Sequence, residues 1–283
     1  MQAKKKWLSM FVGAVLAAPL AATAADKGEV ELTYVEWSSE VASTNVIKTV
    51  LEQQGYEVEM TSVSASAMWQ GVGSGDADGM VAAWLPSTHG HYLEKVQDDV
   101  VDLGPNLEGT KIGLVVPSYV DVDSIAELNA HAEEFDEEII GIDPGAGIMS
   151  KTEKAIEEYG MDDMELVSGS GATMTAALKD AIKNEEAVVV TGWTPHWKFA
   201  RFDLKYLDDP KNVYGGAEQI HTIVRDGLQE DMPEVYRILD RFEWTPADMQ
   251  QVMIWNREDG AEPAETAARW VEENPDKVSA WLD

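Results

Sequence analysis

The chain contains no cysteine, which excludes disulfides, thiolate metal sites, thiol nucleophiles and a lipid-acceptor cysteine alike. Basic residues are scarce: 21 Lys and Arg stand against 52 Asp and Glu, for a formal net charge of −31. Nucleic acid is therefore not an expected partner, because holding a polyanion requires clustered positive charge. Long apolar runs are missing beyond the N-terminus. There, Lys4, Lys5 and Lys6 precede an apolar stretch from Trp7 to about Ala18, and Ala22-Thr23-Ala24 forms a cleavage pattern. That stretch is shorter than the ~20 residues needed to span a bilayer. Residues 1–24 read as a signal peptide removed on export, with the mature protein free in a periplasm. Losing the three leader lysines would carry the charge from −31 to −34. Such an acidic surface keeps an exported protein soluble and by itself supports no function.

What is present is a repeated pattern. An apolar run from Met80 ends in Ala83-Trp84-Leu85-Pro86-Ser87-Thr88-His89, and a second run from Ala187 ends in Thr191-Gly192-Trp193-Thr194-Pro195-His196-Trp197. Each reads as a buried strand that stops on a large aromatic, then a proline, then a histidine. Helix-like segments precede both copies. The chain thus reads as two related α/β halves. In open α/β sheets ligands sit beyond the carboxyl ends of the strands, so two halves face to face would bring Trp84 and Trp193 to one cleft.

In chain order, Val30 to Trp37 alternates as a strand that again ends on tryptophan, and Ser38 to Gln54 follows as a helix closed by Gly55. Tyr56 to Met60 is the next strand, and Lys111 to Val116 another. Pro117 to Asp123 reads as a crossover linker ahead of the capping box Ser124-Ile125-Ala126-Glu127. This divides the mature chain into a first lobe at 25–119, a second lobe at 120–213, and a return at 214–283. The return opens with the strand Ile220 to Val224 and ends in helices that cover the first lobe.

The second lobe opens with a strand at Ile139 to Asp143, followed by the turn Pro144-Gly145-Ala146-Gly147-Ile148-Met149 and a helix to about Tyr159. A glycine-rich turn that opens a helix presents unpaired amides beside the positive end of the helix dipole, a place suited to a carboxylate. The plainer reading is a tight turn that needs glycine backbone angles. Ser168-Gly169-Ser170-Gly171 lacks the lysine and spacing of a nucleotide phosphate loop and reads as a strand-to-helix turn.

Trp37, Trp84, Trp193 and Trp197 sit at or just beyond strand ends on this reading. A single indole in such a place most often caps the core. Three converging on a cleft would instead form a cage for a methylated cation, each face contributing about 0.5 to 2 kcal/mol without the hydrogen bonds that a quaternary ammonium cannot make. A cage beside a helix N-terminus describes the two ends of a betaine.

The motifs Val35-Glu36-Trp37-Ser38-Ser39-Glu40, Ala83 to His89, Gly141 to Met149 and Thr191 to Trp197 resemble those of the glycine betaine-binding proteins of osmoprotectant ABC importers, and the resemblance covers essentially the whole mature chain. It implies a two-lobed type II periplasmic-binding-protein fold, with ligand in the interlobe cleft and a membrane permease as partner. The family's aromatic prism falls on Trp37, Trp84 and Trp193, and its carboxylate-binding amides on Gly147 and Ile148. His89 matches a position that in some members helps hold the carboxylate. No catalytic residue, cofactor or metal is implied, and a monomer is expected.

Two readings of another class compete. An exported hydrolase would need a nucleophile elbow or a carboxylate pair, and neither stands out. A metal-transport protein would need His89, His91 and His196 to converge. Within the binding-protein class, sulfonium betaines, carnitine and choline share the onium head; choline lacks the carboxylate and is expected to bind weakly.

Overall fold

The computed structural model describes residues 27–283, and the signal-peptide segment lies outside the described residues. The first strand, β1 (Glu29–Tyr34), stops short of Trp37, because Trp37 already serves as the N-cap of α1 (Ser38–Gln53). Helix α1 buries Val46, Ile47, Val50 and Leu51, and Gly55 leaves it at a φ of +96°. Strand β2 (Glu57–Ser62), α2 (Ala65–Ser74), β3 (Gly79–Leu85) and α3 (Gly90–Val96) follow. All seven residues of β3 are buried, as its unbroken apolar run requires of a strand covered on both faces.

Strand β4 (Val100–Pro117) is 18 residues long. A 3₁₀ segment at Ile125–Phe135 comes next, entered through the Ser124/Glu127 capping box. Then come β5 (Glu138–Ile140), α4 (Gly147–Tyr159), β6 (Glu165–Val167), α5 (Gly171–Asn184), β7 (Val189–Thr194), α6 (Trp197–Arg201), β8 (Leu204–Tyr206) and β9 (Glu218–Arg225). The chain closes with α7 (Leu228–Asp231), α8 (Pro233–Arg241), α9 (Pro246–Trp255), α10 (Pro263–Glu273) and α11 (Pro275–Leu282). Strand β5 is shorter than the Ile139 to Asp143 run predicts. After Ile140 the chain leaves the sheet for the turn into α4, and the Ile142 amide donates to Met149 Sδ at 3.2 Å.

The strands run β2-β1-β3-β9-β4-β7-β5-β6, with β8 beside β4. Strand β1 is parallel to β2 and β3, and β5 is parallel to β6 and β7, while β9 and β4 run antiparallel to their neighbours. The long β4 serves both sides. Its residues Val100 to Thr110 pair with β9, and Lys111 to Pro117 pair with β7 and β8. Register shifts in the β9 pairing and Gly109 at a φ of +79° let the strand turn as it passes from one side to the other.

The C-terminal helices pack on the β1–β3 side, α9 and α10 against α1, and α8 against β9. Their apolar faces meet in an aromatic cluster, with Trp270 stacked on Trp281 at 5.9 Å and edge-on to Trp244 at 5.6 Å.

Candidate functional site

The repeated sequence pattern is also a repeated structure. After β3, the cis Leu85–Pro86 bond and the turn behind it bring His89 back beneath the strand end. The His89 amide donates to the Trp84 carbonyl at 2.8 Å, and the Trp84 amide donates to His89 Nδ1 at 3.1 Å. An acceptor Nδ1 places the proton of the neutral ring on Nε2. Complete burial pushes the His89 pKa down to about 3, so the ring stays neutral, and Nε2 is buried without a hydrogen-bond partner. After β7, the cis Thr194–Pro195 bond leads to His196, whose Nδ1 accepts the Lys198 amide at 3.1 Å and whose ring stands edge-on to Trp193 at 4.7 Å. Burial likewise holds His196 well below the usual imidazole range.

Glu218, at the start of β9 and 2% exposed, fastens the first of these turns. Its carboxylate accepts the amides of Ser87 at 2.6 Å and Thr88 at 2.7 Å, together with the Thr88 hydroxyl. Trp37 is placed by the entry to α1. The Val35 amide donates to Glu40 Oε2 at 2.8 Å, and burial lifts this fully enclosed carboxyl well above the usual carboxylate range. The Trp37 indole N–H then reaches Asp143 Oδ2, beside the α4 turn, at 2.9 Å.

Gly147 and Ile148 open α4. Their amides belong to its first turn, whose N–H groups have no intrahelical acceptor. Gly147 lies so near the Thr88 turn that a Cβ there would fall 2.2 Å from the Thr88 carbonyl oxygen.

Trp37, Trp84, His89, Gly147, Ile148 and Trp193 all line one cavity, and Ser39, Thr88, Ile112, Ile142 and Ala146 complete its wall. Trp37, Trp84 and His89 come from the β1–β3 side, and Trp193 with the two α4 amides from the β5–β7 side. Contacts hold the sides together around it: Tyr92 Oη donates to the Gly145 carbonyl at 2.7 Å, Lys151 Nζ to Ser87 Oγ at 2.5 Å, and Trp197 Nε1 to Ser38 Oγ at 3.2 Å. Trp197 does not line the cavity. It borders a neighbouring groove instead.

Sequence reasoning missed five wall residues. Ser39, Thr88, Ile142 and Ala146 all fall within the quoted motifs and were open to inference from their neighbours there. Ile112 sits in mid-strand and carries no local signal at all.

The wall supports recognition rather than bond chemistry. The Thr88 hydroxyl is spent on Glu218 and His89 Nδ1 on the Trp84 amide, so no hydroxyl meets a free imidazole base. The histidine metal reading also fails on geometry. Among the described residues, the group of three imidazoles or carboxylates close enough to share an ion is Glu29, Glu31 and Glu59, on β1 and β2 and away from the cavity. Among these residues no helix is long and apolar enough to cross a membrane.

Comparison with known proteins identifies the family. Residues 28–273 match the family model described as the substrate-binding domain of ABC-type glycine betaine transport systems. The glycine betaine/carnitine transport binding protein GbuC of Listeria monocytogenes is 54% identical over 153 residues; the match takes in 53% of this chain and only about half, 51%, of the Listeria protein. The crystal structure of lactococcal OpuAC, closed on glycine betaine, superposes with a TM-score of 0.86 at 44% identity, covering 90% of this chain and 100% of that one. The glycine betaine/L-proline-binding protein ProX from Borrelia burgdorferi gives 0.88 at 42%, covering 90% and 97%. The fold is thus the two-lobed type II periplasmic-binding-protein fold, and the family is one of transport proteins, not enzymes. The chain belongs to the family of substrate-binding domains of ABC-type glycine betaine transport systems.

Proposed function

We propose that this protein captures glycine betaine, or a closely related betaine, in the periplasm and delivers it to the membrane permease of an ABC importer for osmoprotection. The observation that carries the reading is the meeting, on one apolar cavity, of three indoles with two first-turn helix amides and the unpartnered Nε2 of His89. Trp37, Trp84 and Trp193 cage the onium head, whose charge is drawn to the ring faces. The amides of Gly147 and Ile148 take the carboxylate, and the neutral His89 ring adds a donor without adding charge.

The lobes follow the sequence division, 25–119, 120–213 and 214–283, with Lys111 to Pro117 of β4 lying on the second lobe's sheet. Ligand bridges the lobes and shifts the population toward the closed form, which the permease reads. The protein acts as a monomer, exported by its signal peptide.

Calorimetric titration of the mature protein with glycine betaine, carnitine and choline tests this. Tight one-to-one binding of the betaine and weak binding of choline are expected, since choline leaves both amides without an anion. A folded protein that ignores glycine betaine refutes the proposal. Carnitine is the second reading, on the strength of the name of the Listeria relative.

A further inference from the structure

Lys198 has no exposed surface, which is costly for a lysine. It lies in the first turn of α6. Its ammonium donates to the Thr191 carbonyl at 3.2 Å and stands 4.7 Å from the centroid of the Trp193 ring. The cavity wall includes Trp193 but not Lys198, so the ammonium sits against the Trp193 ring from outside the cavity wall. Burial lowers the Lys198 pKa from 10.5 to about 7. The charged and titratable groups around it do not offset that. His196, two residues earlier at the N-cap of α6, is held neutral, with Arg257 beyond it after α9. On β8, Tyr206 stacks on Phe199, and Lys111 of β4 stands over the Tyr206 ring. Among the described residues no carboxylate forms an ion pair with Lys198. A methionine would fill the same space at less cost, so packing alone does not account for a lysine here.

We infer that Lys198 sets the strength of the Trp193 wall: charged, it weakens the hold on an onium head in front of the indole, and neutral, it restores it. The inference rests on the proposed onium ligand and deepens that reading. A ring quadrupole attracts a cation at its face, but two cations held close to one indole repel each other across a low-dielectric gap. The carboxylate of a betaine offsets part of this repulsion. Lys198 is thus a positioning residue that acts through Trp193, and affinity falls as it gains its proton.

The test compares the wild-type protein with Lys198→Met, measuring glycine betaine Kd by calorimetry from pH 6 to pH 8.5, a range in which the ligand keeps one charge state. Wild-type affinity is expected to weaken on the order of fivefold toward pH 6, while Lys198→Met stays tight and flat. Equal pH profiles in the two proteins overturn the inference and leave the betaine reading standing. Absence of binding in both at every pH sinks that reading and this inference with it. Should the variant not fold, the wild type alone decides. By linkage, an onium that disfavours charged Lys198 must release protons on binding near pH 7, seen as a binding enthalpy that depends on the ionisation enthalpy of the buffer. Zero proton release overturns the inference.

Discussion

Gly147→Ala is a direct test of the closed arrangement. The new Cβ would fall 2.2 Å from the Thr88 carbonyl oxygen, 2.7 Å from its Cγ2 and 2.9 Å from its carbonyl carbon. The closest atom is a backbone carbonyl oxygen, and Glu218 fastens its turn through the Ser87 and Thr88 amides, so no side-chain rotation relieves the overlap. The two sides must part by about 0.8 Å to bring the closest contact out to even 3.0 Å. A hydrogen bond from an amide to a carboxylate weakens over that distance, and each charge-assisted one contributes about 1.5 to 3 kcal/mol. Losing the equivalent of one to two such bonds comes to about 2 to 4 kcal/mol, or roughly 30- to 900-fold in the Kd for glycine betaine. Stability without ligand should move by less than ~1 kcal/mol, because opening relieves the clash and Gly147 does not occupy a positive φ. Calorimetric titration alongside urea unfolding of the ligand-free protein separates the two effects. A Kd within threefold of wild type would refute the geometry.

Three further predictions follow from the same physics. Trp193→Ala removes one wall of the proposed cage; a loss of about 1 to 3 kcal/mol, roughly 5- to 150-fold in Kd, is expected, and unchanged binding would remove Trp193 from the cage. The His89 ring stays neutral down to about pH 3 in the fold, whereas its ordinary pKa is 6.5. The unfolded chain therefore binds the extra proton between those values, so the ring's contribution to stability is complete above about pH 6.5 and is lost as pH falls toward 3. His89→Asn keeps an acceptor for the Trp84 amide and should flatten the stability slope by roughly 1.4 kcal/mol per pH unit through that window, measured by urea unfolding; identical slopes would contradict a buried neutral imidazole. Trp270→Ala should cost about 3 to 5 kcal/mol of stability by opening the C-terminal aromatic cluster, while leaving the Kd of the folded fraction unchanged; a loss below ~1 kcal/mol would show that the cluster contributes little.

Local patterning was enough to read most of the elements. The apolar run of β3, the alternation of β1, the helical spacing of α1 and the Ser124 capping box each announce themselves over a few neighbouring residues, since burial on one face or both imposes a period. The short β5 was overestimated for the same reason: Ile142 is apolar because it lines the cavity and packs against α4, not because it pairs in the sheet. Periodicity reports burial and does not distinguish between its causes.

The sequence by itself determined that two strands end on Trp-x-Pro and are followed by histidine, that a glycine-rich turn opens a helix, and that thiol chemistry is excluded. These are properties of neighbouring residues, and a chain displays them before it folds. Only the tertiary structure decided that β4 serves both sides of the sheet, that Gly147 must be bare because the Thr88 carbonyl rests against it, and that Ile112 joins the cavity wall. It also decided that Lys198, unremarkable in the sequence, is buried against Trp193. Each of these is a meeting of residues far apart in the chain, and such meetings are settled by how the two sides pack rather than by any local preference of the residues that meet.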